Sequence, residues 1–290
     1  MKTMRTTPNP HPLSLPIPRG WEEALTGWAT SMRAAGYSER TVKTRCVYLR
    51  RVARDLGRES PERVTADDLL AWAGQQDWAP ATRHSCYTSL RVFYRWLCGK
   101  GTIESNPALA LPRVTCPPGV PRPVPREVLD HGIQGASDRV ELMLYLAACS
   151  GLRASEIARV HASDVFEDLD GLSLVVHGKG GRTRVVPLPS WLGERVRAAC
   201  DLGGGWAFPS KYGGHLSGAR ISELGSDALP GRWTLHTLRH RFATLAYRAD
   251  RDLLAVQRLL GHASVHTTQR YAEPPGDALR RAIHAADIYQ

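Results

Sequence analysis

The six cysteines of this sequence (Cys46, Cys86, Cys98, Cys116, Cys149, Cys200) include no CxxC pair. That removes the usual spacing signal for a zinc ribbon or a dithiol redox centre. They are scattered, most of them inside apolar helical patterns, and read as buried free thiols in a reducing compartment. Long apolar runs are also missing: the longest, Leu142 to Cys149, falls far short of a membrane span. Lys2 and Arg5 are followed by no apolar core, so no signal peptide is expected. There is no polybasic tail. The net charge of +10 is spread out, with 14 basic against 10 acidic residues from Arg19 to Leu111 and 20 against 18 from Arg126 to the end. Such an excess suggests a polyanionic partner, met by local arrangement of side chains. What these absences leave is a cytoplasmic, intracellular protein of ordinary composition, 42 % apolar and 23 % charged. At 290 residues it is long enough for two cores.

Residues 1–18 hold five prolines and no apolar periodicity, and read as a disordered or loosely attached tail. Residues 19–111 read as a four-helix domain. Trp21, Leu25, Trp28 and Met32 make the first stripe, ended by Gly36. Ser38 caps a second helix with Val42, Leu49, Val52 and Leu56 inward and Gly57 as its stop. Thr65, with Asp67 and Asp68 in the first turn, opens a third. The fourth, over 81–98, buries Leu90, Phe93 or Tyr94, and Leu97. The outer faces of the second and fourth helices carry Lys43, Arg50, Arg51, Arg54, Arg83, Arg91 and Arg95. A solvated helix face has the same composition, so charge alone does not make this a DNA surface. Residues 112–125 hold six prolines, which deny the chain helix and sheet, and predict a stiff linker.

The second domain is read over 126–290. An apolar helix around Glu141 to Cys149 breaks at Ser150-Gly151 and resumes in ASEIARV, with Arg153 at the break. Leu172–His177 and Thr183–Leu188 are strand signals around Gly178-Lys179-Gly180-Gly181-Arg182, a hairpin with Lys179 on a tip where it can swing. Helical pattern returns at Leu216 to Leu224 and fills most of the remainder. Leu253, Val256 and Leu260 recur at helical spacing, Gly261 suits a left-handed C-cap, and Ser264 can start a short helix bearing Tyr271. Asp277 to Asp287 is a short amphipathic helix that needs something to dock on. The fold class is therefore mainly α with a small β-hairpin, the second domain being α+β.

The chemistry concentrates in Thr234 to Thr244, TLHTLRHRFAT, and in Arg258 to Tyr271, RLLGHASVHTTQRY. His236 and Arg239 stand at i and i+3 after a plausible Thr234 cap, opposite a core-facing stripe of Leu235, Leu238, Phe242 and Leu245. A His/Arg pair held at the edge of a core is positioned to bind an oxyanion. His236 and His240 also make HxxxH, but no Glu follows the first His and Arg239 would set a cation beside a metal. His262 and Tyr271 by themselves would pass for a surface histidine and a packing tyrosine.

Read in order, GLRASEI around Arg153, GKGGRTR around Lys179, HTLRH at His236 and LGHASVHTTQRY ending in Tyr271 resemble the four signature blocks of the tyrosine recombinase (phage integrase) family. The four-helix segment resembles that family's core-binding, SAM-like domain. The resemblance implies an integrase-type catalytic domain in which Arg153 and Arg239 clamp the scissile phosphate and His236 and His262 are the two site histidines. Lys179 is then the hairpin lysine, and Tyr271 the nucleophile that takes a 3′-phosphoryl group. His240 matches a position read as structural, and the role of Arg184, a common hairpin arginine, stays open. Thr41, Lys43, Arg50, Arg83 and Arg91 become the expected DNA contacts of the first domain. The partners implied are double-stranded DNA, further copies of the chain (a tetramer in synapsis) and an accessory directionality factor, with no membrane. The C-terminal helix is expected to dock on a neighbouring protomer. No cofactor and no metal are expected.

Elementary chemistry asks for the same residue types. Attack on a phosphodiester adds a second negative charge in the transition state, and without a metal fixed cations must stabilise it. Arginine stays protonated and donates through a bidentate fork. A tyrosine with an ordinary pKa of about 10 needs a base or electrostatic help to ionise near neutral pH. His236 is the candidate base, His262 a donor to the phosphate, and Lys179 the general acid for the leaving 5′-oxygen. The expectation is a site-specific recombinase, read first as the integrase of a phage or mobile element. The alternatives are a Xer-type chromosome-dimer resolvase, a type IB topoisomerase-like enzyme, and a non-catalytic DNA-binding regulator.

Overall fold

The structure, a computed structural model, describes residues 15–117, 122–178 and 181–261. The chain divides into two compact units, Met1–Pro117 and Pro118–Gln290.

The first unit is built from α1 (Arg19–Ala34), α2 (Glu39–Leu56), α3 (Ala66–Gly74) and α4 (Pro80–Gly99). Each begins or ends on chemistry legible in the sequence. The Ser38 hydroxyl accepts from the Thr41 amide at the start of α2, and Gly57 ends that helix in the left-handed region. Thr65 and Asp68 form a reciprocal capping box at α3. The stripe Trp21, Leu25, Trp28 and Met32 is buried. Phe93 and Tyr94 are both buried, with Phe93 stacked on Trp21 and edge-on to Trp28. Leu111 and Val114, at the edge of the proline-rich segment, pack on this core.

The second unit contains α5 (Arg126–Gln134), α6 (Asp138–Ser150), α7 (Ala154–Ile157), β1 (Val165–Asp168), β2 (Gly171–His177), β3 (Thr183–Pro187), α8 (Ser190–Leu202), α9 (Gly218–Asp227), α10 (Leu235–Asp250) and α11 (Leu253–Leu260). Helix α6 is its spine: Leu142, Met143, Leu144, Leu146, Ala147 and Ala148 are buried, and it packs against α5, α8, α9 and α10. The sheet is antiparallel in the order β1-β2-β3, with Leu174 opposite Val165 on one side and Val186 on the other. The β2–β3 hairpin is the expected one. The flanking strand β1 has no apolar alternation to announce it, because three of its four residues are exposed. ASEIARV yields one short helix, α7, rather than a full continuation of α6. Val124, within the proline-rich segment, is buried in this second core.

Candidate active site

The site is assembled around a turn. Helix α6 ends at Gly151, whose φ of +64° is the left-handed conformation that closes a helix. A Cβ there would lie 2.4 Å from the Phe242 ring on α10, so only glycine lets the two elements approach. The chain then extends through Arg153, the residue before α7. Arg153 donates from its backbone N–H to Glu156 Oε2 (2.9 Å) and from Nη1 to Glu156 Oε1 (2.7 Å).

Glu156 is buried and meets three arginines. Besides Arg153, Arg184 on β3 places Nη1 3.0 Å from Oε1 and Nη2 2.8 Å from Oε2. Arg239 on α10 brings Nη1 to 3.7 Å from Oε2. Burial alone would raise the pKa of this carboxyl. The hydrogen bonds and charge of Arg184, followed by those of Arg153, more than offset it and hold the group at about 2. One anion against three guanidiniums leaves a net positive cluster inside the fold, which suits a second anion arriving from outside.

The two arginines expected at a phosphate are held differently. The Arg153 side chain is 38 % exposed and forms the open side of the cluster. Arg239 is 2 % exposed; it donates from Nη1 to the Gly151 carbonyl and from Nη2 to the Leu260 carbonyl at 2.6 Å. This corrects the expected face of α10. Arg239 lies inward with Leu235, Leu238 and Ala243, whereas Leu245 of the supposed core stripe is exposed. The reason is the supply of buried acceptors, a carboxylate and two carbonyls, that can satisfy a guanidinium there.

His236 is exposed on the first turn of α10, which Thr234 and Thr237 cap. Its Nε2 is 3.1 Å from Nε2 of the buried His240, so one of the two rings supplies the proton between them. Among the described residues no cluster of three or more His, Cys, Asp or Glu could hold a metal ion. Lys179, His262 and Tyr271 lie outside the described residues, as do Ser264 and the helix expected at 277–287. The structure thus brings Arg153, Arg239 and Arg184 together on Glu156, with His236 on the helix that carries Arg239. Sequence reasoning missed Glu156. The available signal was an acidic residue three positions after Arg153, at capping-box spacing and directly before the buried Ile157.

In the first unit the five expected DNA contacts separate. Lys43 is exposed, and Thr41 lies in the first turn of α2. Arg50, Arg83 and Arg91 do not form the solvated outer face expected of them. Arg50 pairs with Glu22 at 2.7 Å, Arg83 donates to the Gln76 carbonyl, and Arg91 donates to the carbonyls of Leu111 and Pro112. All three are partly buried, and the head of each is held by an acceptor of its own unit.

Residues 128–275 match the phage integrase family, and residues 25–104 match the phage integrase N-terminal SAM-like domain. The chain is 35 % identical over 216 residues to tyrosine recombinase XerC of Xylella fastidiosa (strain 9a5c), covering 69 % of this chain and 72 % of that protein. It is 30 % identical over 264 residues to tyrosine recombinase XerD of Caulobacter vibrioides, covering 81 % and 84 %. Its fold resembles that of a lambda integrase dimer bound to a COC′ core site, with a TM-score of 0.70 and 19 % identity over 88 % of this chain and 96 % of that one.

Proposed function

The chain belongs to the phage integrase family and is a site-specific tyrosine recombinase, and from that premise we propose that Tyr271 cuts DNA by attacking a phosphodiester held on Arg153 and Arg239. The phenol oxygen bonds to phosphorus, and the bond to the 5′-oxygen breaks. His236 takes the phenol proton, Lys179 gives a proton to the leaving 5′-oxygen, and His262 donates to a non-bridging oxygen. The 3′-phosphotyrosine link conserves the bond energy, so a 5′-hydroxyl from another strand reverses the step without ATP. Removing one fixed donor from such a site typically costs about 10²–10³ in rate. The observation that carries this reading is the Glu156 carboxylate. It joins Arg153 and Arg239, remote in sequence, into one cationic cluster whose open side is Arg153.

The partners in this reading are double-stranded DNA and further copies of the chain, four in synapsis, with an accessory directionality factor. A solved lambda integrase tetramer bound to a Holliday junction supports the assembly. Among the described residues no helix is long and apolar enough to cross a membrane, and we place the protein in the cytoplasm with the chromosome. Its role is first that of an integrase of a phage or mobile element. A second role, Xer-type resolution of chromosome dimers, is favoured by the identity to XerC. Deleting the gene separates them: filamentous cells with unresolved chromosomes support the resolvase, and an element frozen in place supports the integrase. The chemistry is tested with a nicked suicide duplex on a denaturing gel. Wild type should give a protein–DNA band that Tyr271→Phe lacks, and a band persisting in the variant would move the nucleophile elsewhere.

A further inference from the structure

Arg184 is a cation of the hairpin with no assigned task, and it belongs to the cluster without facing outward. Its side chain is 11 % exposed. Each of its three guanidinium nitrogens donates within the chain: Nη1 and Nη2 to the two oxygens of Glu156, and Nε to the Leu259 carbonyl at 2.7 Å. That carbonyl belongs to the last turn of α11, where helix geometry leaves acceptors without intrahelical donors and a partial negative charge gathers. The next carbonyl, Leu260, accepts from Arg239. Two guanidiniums from different elements therefore hold the end of one helix, and both also meet Glu156. Gly261 then turns the chain with φ +60°, passing so close that a Cβ would sit 3.0 Å from Arg184 Nη1. The residue that follows is His262, and the chain runs on to Tyr271.

We infer that Arg184 is a positioning residue: it fastens the end of α11, from which the chain continues to His262 and Tyr271, to the strand after Lys179 and to the Arg153 turn, and it does not itself bind DNA. The inference rests on the recombinase reading for its catalytic consequence, whereas the fastening is a property of the protein alone. Burial is not what sets Arg184 apart, since Arg239 is buried as well. Arg184 instead spans both oxygens of a planar carboxylate and a carbonyl from three separate nitrogens, a fork that the single ammonium nitrogen of lysine does not reproduce.

The test uses the full chain with Arg184→Lys as the main variant and Arg184→Ala beside it. In protein alone, amide hydrogen exchange should quicken at least tenfold at Leu260 and Gly261 in both variants while α6 keeps its protection. Unchanged exchange there overturns the inference. With a nicked duplex carrying the sequence this protein selects from a random pool, single-turnover adduct formation should fall about 10²-fold in both variants, the usual cost of a small misplacement. Affinity and its salt dependence should match wild type. Rescue of the rate by lysine, or a salt slope shallower by about 1 in the alanine variant, would make Arg184 a phosphate contact and overturn the inference. If wild type itself forms no Tyr271-dependent adduct, the recombinase chemistry fails, and the exchange measurement still decides the fastening.

Discussion

Glu156 lends the site its shape by being ionised where burial opposes it. The sign of its effect on stability follows from its depressed pKa, about 2 against an ordinary 4.5. A carboxyl that releases its proton more readily when folded stabilises the fold fully above its unfolded pKa. That contribution is lost as pH falls from 4.5 toward 2. A depression of this size corresponds to on the order of 3 kcal/mol. Glu156→Gln should therefore lower the denaturant midpoint clearly at pH 7, and the gap to wild type should shrink by more than half at about pH 3. An equal gap at both values would mean that the three arginines do not depend on its charge. Beyond the capping-box spacing after Arg153 this was not legible in the sequence, because a buried carboxylate and a surface one are written with the same letter. The arginines were legible through the motifs that contain them. Which way they point was not, since the inward turn of Arg239 depends on acceptors from Gly151, Glu156 and Leu260 that meet it there.

At the scale of elements, termini were easier to read than interiors. Ser38, Thr65 and Thr234 cap the helices expected of them, because a cap is a local hydrogen bond that needs no tertiary context. Strand β1 and helices α5 and α8 passed unseen. In β1, the sequence VFED shows no period of two, and its pairing with β2 comes from the register of the sheet. Gly151 and Gly36 make a controlled pair for the cost of a turn. Both have positive φ, but an added Cβ meets nothing within 4 Å at Gly36 and the Phe242 ring at Gly151. Gly36→Ala should cost about 1 kcal/mol of backbone strain. Gly151→Ala carries the same strain plus overpacking, about 1–3 kcal/mol more, and it shifts the carbonyl that Arg239 uses. Thermal melts of the two variants should differ accordingly, and adduct formation should collapse only in the second. Equal melting points would show that α6 and α10 yield to the added methyl group.

For the whole molecule, the run of prolines and two sets of apolar stripes suggest two cores, and the chain has two compact units, with Val114 and Val124 of the expected linker packed on them. The charge is a whole-molecule property as well. With a net +10 and no polybasic tail, DNA affinity should come from several discrete phosphate contacts. Six to ten of these lose about 10³–10⁵ in binding between roughly 50 and 200 mM salt. Fluorescence anisotropy on a short duplex across that range checks the slope, and a nearly flat response would mean that the excess charge faces elsewhere. The meeting of three arginines on one carboxylate also bears on how the protein is made. A nascent chain that has emerged as far as α8 already carries Arg153, Glu156 and Arg184, yet lacks α10 and with it Arg239 and His236. Synthesis from the N-terminus thus completes the arginine cluster on Glu156 only once α10 has emerged. A product truncated before α10 would carry the carboxylate with two of its three arginines.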